Sequence, residues 1–190
     1  MPRIHVALGV GPEHAEAYDE EAERFMRSAS ASGKLDAIGS CGLRGAETAA
    51  QVAAFERQAT LARELDVPLI VEARNAHRTA LQVLQRIGWP RRVVLRAFDA
   101  KPDELADWID AGAFVSLGAE SVADPARCNA LAQRVPEGRL LVESGAPDCT
   151  VSTLDETDPR CDQVAFVADA LRETIAATSL AQNFASAFRA

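Results

Sequence analysis

The stretch AAQVAAFERQATLARELDVPLIVE, residues 49–72, contains a complete helix-to-strand step and decides the fold class. Its first part repeats apolar residues at steps of three and four, which is the spacing of one buried helix face. Pro68 ends this pattern, because proline cannot continue a helix. The residues from Leu69 to Val71 are continuously apolar and lead into Glu72, which is typical of a strand buried on both faces of a parallel sheet.

The same alternation of strand and helix extends along the whole chain. Apolar strand patterns lie at residues 3–10, 36–39, 68–72, 91–98, 113–118 and 139–143. Helical patterns lie at residues 13–32, 46–66, 75–87, 102–111, 124–134, 162–177 and 180–188. A repeated strand–helix alternation produces a parallel sheet, either doubly wound or closed as a barrel. We therefore predict an α/β fold with about six βα units.

Composition limits the class of protein. With 190 residues, 48% of them hydrophobic, the chain is long enough for one well-buried core, so a single domain over residues 1–190 is expected. The formal charge of −8 makes a nucleic-acid partner unlikely, because phosphate binding relies on clustered Lys and Arg. The apolar runs are too short to span a membrane, and the first residues do not form a secretory signal, so a soluble cytoplasmic protein is expected.

Polar residues follow the predicted strands, where a barrel fold would carry out chemistry. No glycine-rich nucleotide-binding motif follows any strand, so a dinucleotide or P-loop fold lacks its main support. In a (β/α) barrel, side chains from several strands converge at the carboxyl ends of the strands. The residues placed there are Ser40, Cys41, Glu72, Arg96, Asp99, Glu120, Glu143 and Asp148. This arrangement favours a TIM-type barrel over a doubly wound sheet.

Five segments in this order resemble the TatD family of metal-dependent hydrolases, deoxyribonuclease-like members of the amidohydrolase barrels. The segments are AIGSCGLR (37–44), QVAAFERQATLARELDVPLIVEARNAH (51–77), VVLRAF (93–98), GAFVSLG (112–118) and RLLVESGAPD (139–148). The resemblance implies that residues 3–10 correspond to the third strand of the family barrel. The chain would then be an incomplete or contracted barrel that lacks the family's first two βα units.

The resemblance also implies where metal ligands would lie, and each of these positions carries a different residue here. The family has a glutamate, two histidines and an aspartate after successive strands, together with a His-x-His pair on its first strand. The matching positions in this chain are Ser40, Glu72, Arg96 and Gly145. A glycine offers no side-chain ligand, and an arginine repels a divalent cation. We therefore expect no metal at these positions.

Two alternatives remain for the carboxylates at the strand ends. Glu72 and Glu143, helped by Asp99 or Asp148, could hold one divalent ion such as Mg²⁺ through oxygen ligands. The favoured alternative is that Glu72 forms a salt bridge with Arg96, since a buried acid needs a partner. A further hypothesis pairs Cys41 as a nucleophile with His14 as its base.

These residues lead to two functional hypotheses. The favoured one is a non-catalytic TatD-like pseudoenzyme with a binding or scaffold role and no cofactor. The alternative is a metal-dependent hydrolase, of phosphodiesterase or DNase type, with a rebuilt carboxylate site and one divalent metal ion. Because the terminal strands 3–10 and 139–143 would lack their usual neighbours, we also expect a homodimer or another partner that covers the open barrel edge.

Overall fold

The computed structural model describes residues 4–98, 102–118, 121, 124–145 and 159–188. Its core is a six-stranded parallel sheet with the strand order β1-β2-β3-β4-β5-β6. The strands are β1 (Ala7–Leu8), β2 (Ala37–Arg44), β3 (Leu69–Arg74), β4 (Val93–Arg96), β5 (Phe114–Leu117) and β6 (Leu140–Val142). The predicted parallel α/β architecture with six strands is confirmed.

Helices alternate with these strands. They are α1 (Glu20–Ala31), α2 (Ala49–Glu64), α3 (His77–Ile87), α4 (Pro102–Asp110), α5 (Pro125–Ala132), α6 (Pro159–Ala170) and α7 (Ala177–Phe188). Within the described ranges, no helix is both long enough and apolar enough to cross a membrane.

The chain divides into two compact units, Met1–Val94 with Ala187–Ala190, and Leu95–Ser186. A single domain over residues 1–190 stays a prediction.

The first unit is built around β2, β3 and α2. Thr48 caps α2 by accepting a hydrogen bond from the N–H of Gln51, which explains why the helix begins there. The apolar face predicted from the spacing is confirmed at Phe55, Ala59 and Ala62, which are fully buried. Their burial against the sheet removes apolar surface from water and supplies the main stabilisation of this unit.

The predicted helix over residues 13–32 is interrupted. A 3₁₀ helix covers Pro12–Ala17, and α1 begins only at Glu20. The side chain of Asp19 accepts a hydrogen bond from the N–H of Ala22 and starts the second helix, as aspartate commonly does at this position. The local capping hydrogen bond overrides a periodic pattern that looks continuous in the sequence.

The second unit is built around β5 and β6. Trp108, Leu117 and Leu131 are fully buried here, and β5 pairs with β6 through Val115–Leu140 and Leu117–Val142. The side chain of Asn183 in α7 is buried and donates a hydrogen bond to the carbonyl oxygen of Leu140 at 2.8 Å. This hydrogen bond connects α7 to β6.

The first strand is shorter than predicted. Only Ala7 and Leu8 form β1, although the apolar pattern covers residues 3–10. Beyond Leu8 the backbone bonds to a side chain instead of a strand, because the amide of the buried Gln58 pairs with both the N–H and the C=O of Val10, at 2.8 and 3.0 Å. Gln58 therefore ends the strand by occupying the backbone groups that would extend the sheet.

Candidate functional site

Glu72 lies at the end of β3 among two arginines, and we call these three residues the Glu72 cluster. Its Oε1 atom accepts a hydrogen bond from Arg44 Nη2 at 2.9 Å and another from Arg74 Nε at 3.0 Å. The Glu72 side chain is only 5% exposed, whereas Arg74 and Arg44 are 19% and 40% exposed. One buried carboxylate is thus paired with two guanidinium groups.

The sheet register explains why these three side chains meet. Residues two apart in a strand share a face, so Glu72 and Arg74 point the same way from β3. In the neighbouring strand, Gly42 pairs with Glu72 and Arg44 pairs with Arg74. Gly42 has no side chain, which lets β2 approach the backbone of Glu72 closely, since a Cβ there would lie 1.9 Å from the Glu72 carbonyl oxygen.

Glu143 forms a second arrangement in the other unit, and we call it the Glu143 cluster. Its Oε1 atom accepts the backbone N–H of Ala97 at 2.7 Å, and its Oε2 atom accepts Arg96 Nε at 3.2 Å. Gly118 leaves space for the Glu143 side chain, because a Cβ at position 118 would lie 3.1 Å from Glu143 Cγ. Both carboxylate oxygens of Glu143 are therefore engaged by groups of the chain itself.

The structure pairs Glu72 and Arg96 each within its own unit, and the predicted salt bridge between them stays a prediction. Glu72 bonds to Arg44 and Arg74, whereas Arg96 bonds to Glu143. The underlying expectation, that a buried acid at a strand end would be paired with arginine, holds for both carboxylates. The sequence hypothesis missed Arg44 altogether.

The burial of Cys41 disfavours the hypothesis of a Cys41–His14 nucleophile. Cys41 is fully buried in β2, and its thiol lies 3.7 Å from the carbonyl oxygen of Ile70, to which it donates a hydrogen bond. Burial raises the pKa of the Cys41 thiol, which disfavours the thiolate that a nucleophile requires. His14 is exposed and lines a pocket of about 370 Å³ beside the start of α2.

The raised pKa of Cys41 makes stability depend on pH. In the unfolded chain the thiol ionises near its ordinary pKa of about 8.5, whereas the folded protein keeps it protonated to higher pH. The contribution is therefore fully present below pH 8.5 and is lost as the pH rises, by about 1.4 kcal/mol per pH unit. Urea unfolding at pH 8, 9 and 10 should show a steeper loss for the wild type than for Cys41→Ala, and equal slopes would contradict the prediction.

The four replaced positions do not fit a divalent metal ion. Ser40 is half-buried within β2, and Gly145 has a positive φ of 75° and no side chain. Glu72 already accepts two guanidinium donors, and Arg96 brings a positive charge. Metal sites in proteins are usually built from several oxygen, nitrogen or sulfur ligands free of such competing cations.

Other candidate residues add little to either cluster. Among the described residues, no group of three or more His, Cys, Asp or Glu side chains could hold a metal ion. Asp99, Glu120 and Asp148 lie outside the described residues. The carboxylates that the structure describes at the strand ends therefore bind arginines and a backbone N–H.

Comparison with known proteins identifies the fold and the family. Residues 1–189 match the family model described as TatD related DNase. The chain is 34% identical over 150 residues to the 3'-5' ssDNA/RNA exonuclease TatD of Yersinia pseudotuberculosis serotype O:3 (strain YPIII), which covers 73% of this chain and 56% of that protein. It is 33% identical over 155 residues to the protein of the same name from Enterobacter lignolyticus (strain SCF1), covering 76% of this chain and 58% of that protein. The chain thus spans little more than half the length of these curated relatives.

Solved structures show the same fold. The crystal structure of YjjV, a TatD homologue from Escherichia coli K12, superimposes with a TM-score of 0.85 at 23% identity, covering 98% of this chain and 77% of that chain. A hydrolase of the TatD family from Entamoeba histolytica superimposes with a TM-score of 0.82 at 16% identity, covering 97% of this chain and 74% of that chain. The predicted TIM-type, barrel-like α/β fold is confirmed by these matches. The family model, which matches residues 1–189, establishes that this chain belongs to the TatD family.

Proposed function

We propose that this chain is a non-catalytic member of the TatD family that acts as a binding or scaffold protein. The observation that carries the proposal is the Glu72 cluster, in which two guanidinium groups bond to one buried carboxylate oxygen. A carboxylate engaged in this way is a poor metal ligand and a poor general base, because its charge is already neutralised.

The energetic cost of recruiting a metal supports the proposal. A divalent ion at Glu72 would lie close to the positive charges of Arg44 and Arg74, so it would either be repelled by them or have to displace them from the carboxylate. Removing one partner of a buried pair costs on the order of 3 kcal/mol. The Glu143 cluster imposes a similar cost, because the Ala97 N–H and Arg96 would both lose their acceptor.

The family relationship does not by itself imply activity, because function depends on the site and not on the fold. The relatives are named as 3'-5' exonucleases of single-stranded DNA and RNA. At the matching positions this chain has Ser40, Glu72, Arg96 and Gly145. Retention of the fold together with a changed set of side chains is what we expect of a protein selected for binding.

The proposal is tested with 5'-labelled single-stranded DNA and RNA in the presence of Mg²⁺ or Mn²⁺. The Yersinia relative, assayed in parallel, is the positive control. We expect no shortening of either substrate above the buffer background, and less than about one tenth of a metal ion per chain by elemental analysis. Metal-dependent shortening that is lost in both Glu72→Gln and Glu143→Gln would instead establish the rebuilt carboxylate hydrolase.

A further inference from the structure

A pocket of about 480 Å³ lies in the second unit beside the amino end of β6, and we call it the β6 pocket. Three segments form its walls: the carboxyl end of α5 with the residues that follow, the turn before β6, and the turn after α6. Pockets that hold small molecules usually enclose about 300 to 1,000 Å³, so this one is large enough for a small organic ligand. Glu143 follows the other end of β6, so the β6 pocket is separate from the Glu143 cluster.

The floor of the β6 pocket is apolar. Val135, Leu140 and Ile175 line it and are 5%, 1% and 4% exposed. Ala132, the last residue of α5, lines it as well and is also buried. A hydrocarbon segment placed on these side chains would lose contact with water, which favours binding.

The rim of the β6 pocket is acidic. Glu137 comes from the turn before β6 and Glu173 from the turn after α6, so two exposed carboxylates reach the pocket from different segments. None of the described residues that line the pocket is basic. A positively charged ligand would therefore be complementary to the rim.

Three arginines are close in sequence but do not line the pocket. Arg139 donates a hydrogen bond to a backbone carbonyl oxygen of α4 at 3.0 Å. Arg172 pairs with Asp169 at 3.3 Å, and Arg134 is exposed. The two rim carboxylates are thus not matched by a cation among the residues that form the pocket.

The ends of two helices add negative potential. The β6 pocket includes the last residue of α5 and the turn that follows α6. The carboxyl end of a helix carries a partial negative charge, which a basic side chain in the last turn commonly offsets. Neither α5 nor α6 has a basic residue in its last turn. The backbone therefore favours a cation at this place, as the rim carboxylates do.

Side-chain hydrogen bonds hold the walls of the pocket in position. Thr174 Oγ1 donates to Asn129 Oδ1 at 3.2 Å, which connects the turn after α6 to α5. Ser179 Oγ donates to Glu137 Oε1 at 2.9 Å, which orients one of the two rim carboxylates. A site that is ordered before the ligand arrives loses less conformational entropy on binding.

We propose that the β6 pocket binds a small aliphatic diamine, which is a hydrocarbon chain with an ammonium group at each end. The hydrocarbon chain lies on the floor formed by Val135, Leu140 and Ile175, and the ammonium groups bond to Glu137 and Glu173. Alkylamines are protonated at neutral pH, as the lysine side chain is, and each ammonium group donates up to three hydrogen bonds. This inference goes beyond the proposed function, since it holds whether or not the chain cleaves nucleic acids.

Isothermal titration calorimetry of the full chain with hexamethylenediamine tests the proposal. We expect a dissociation constant below about 1 mM. Hexanediol has the same hydrocarbon chain without charge and should bind about ten-fold more weakly or less. No binding of the diamine at about 10 mM, or equal binding of the diol, would overturn the proposal.

Removal of the two rim carboxylates tests the location. The double variant Glu137→Gln/Glu173→Gln should bind hexamethylenediamine about ten-fold more weakly than the wild type. Glu20→Gln/Glu21→Gln is the matched control, because it removes two exposed carboxylates from α1 and changes the net charge by the same amount. Its affinity should stay within about two-fold of the wild type. Equal weakening in both double variants would mean that the diamine responds only to the overall charge of the chain.

Amide chemical shifts of the wild type decide the matter even if a variant does not fold. On addition of hexamethylenediamine, the N–H signals of Val135, Thr174 and Ile175 should move, while those of α1 stay in place. Shifts that are spread over the whole surface, or that are confined to another part of the chain, would contradict binding in the β6 pocket.

Discussion

Replacing Gly42 with alanine is expected to prevent the protein from folding. A Cβ built at this position would lie 1.9 Å from the backbone oxygen of Glu72. Gly42 also has a φ of 144°, a conformation that residues with a side chain rarely adopt. The two strands cannot separate to relieve the clash, because Gly42 and Glu72 are paired within the buried ladder of β2 and β3. The combined clash and strain should cost more than about 4 kcal/mol.

The matched control for this substitution is Gly138→Ala. No atom lies within 4 Å of a Cβ built at Gly138, so its free energy of unfolding should change by less than about 0.5 kcal/mol. Circular dichroism and a thermal melt of the two variants measure the difference. A cooperative melt of Gly42→Ala within a few degrees of the wild type would show that the strands can move apart at this point.

The architecture was predictable because its signals are local. The spacing of Phe55, Ala59 and Ala62, followed by Pro68 and a continuous apolar run, specifies a helix that returns into a buried strand. This signal recurs along the chain, and a repeated βα unit permits few topologies. Strand β1 was overestimated because the side chain that ends it, Gln58, lies far away in the sequence.

The partners of the candidate site were harder to predict, because they depend on strand register. Ile38 pairs with Leu69, but Cys41 pairs with Val71, so the register of β2 shifts by one residue within the strand. A shift of one residue changes the face on which every later side chain lies. It is this shift that places Arg44 beside Arg74 and within reach of Glu72. The sequence of residues 37–44 alone does not specify this one-residue register shift.

Neutralising Glu72 should destabilise the protein by about 3 kcal/mol. In Glu72→Gln the side chain keeps its shape, but it no longer compensates the charges of Arg44 and Arg74, which both lie about 3 Å from one oxygen. The two guanidinium groups then repel each other, and water screens this repulsion only in part, because Arg74 is 19% exposed and Arg44 is 40% exposed. Urea unfolding of the wild type and of Glu72→Gln gives the difference in free energy.

An exposed ion pair serves as the matched control for Glu72. The pair of Glu20 with Arg24 spans 3.6 Å, and the Glu20 side chain is 87% exposed, so Glu20→Gln should cost no more than about 0.5 kcal/mol. A double-mutant cycle of Glu72→Gln and Arg44→Ala then separates the effect of the lost charge from the effect of altered packing. If repulsion between the arginines explains the loss, Arg44→Ala should be less costly in the Glu72→Gln background than in the wild type, by about 1 to 2 kcal/mol. A coupling energy near zero would mean that Glu72 acts through packing and that the two arginines do not interact through it.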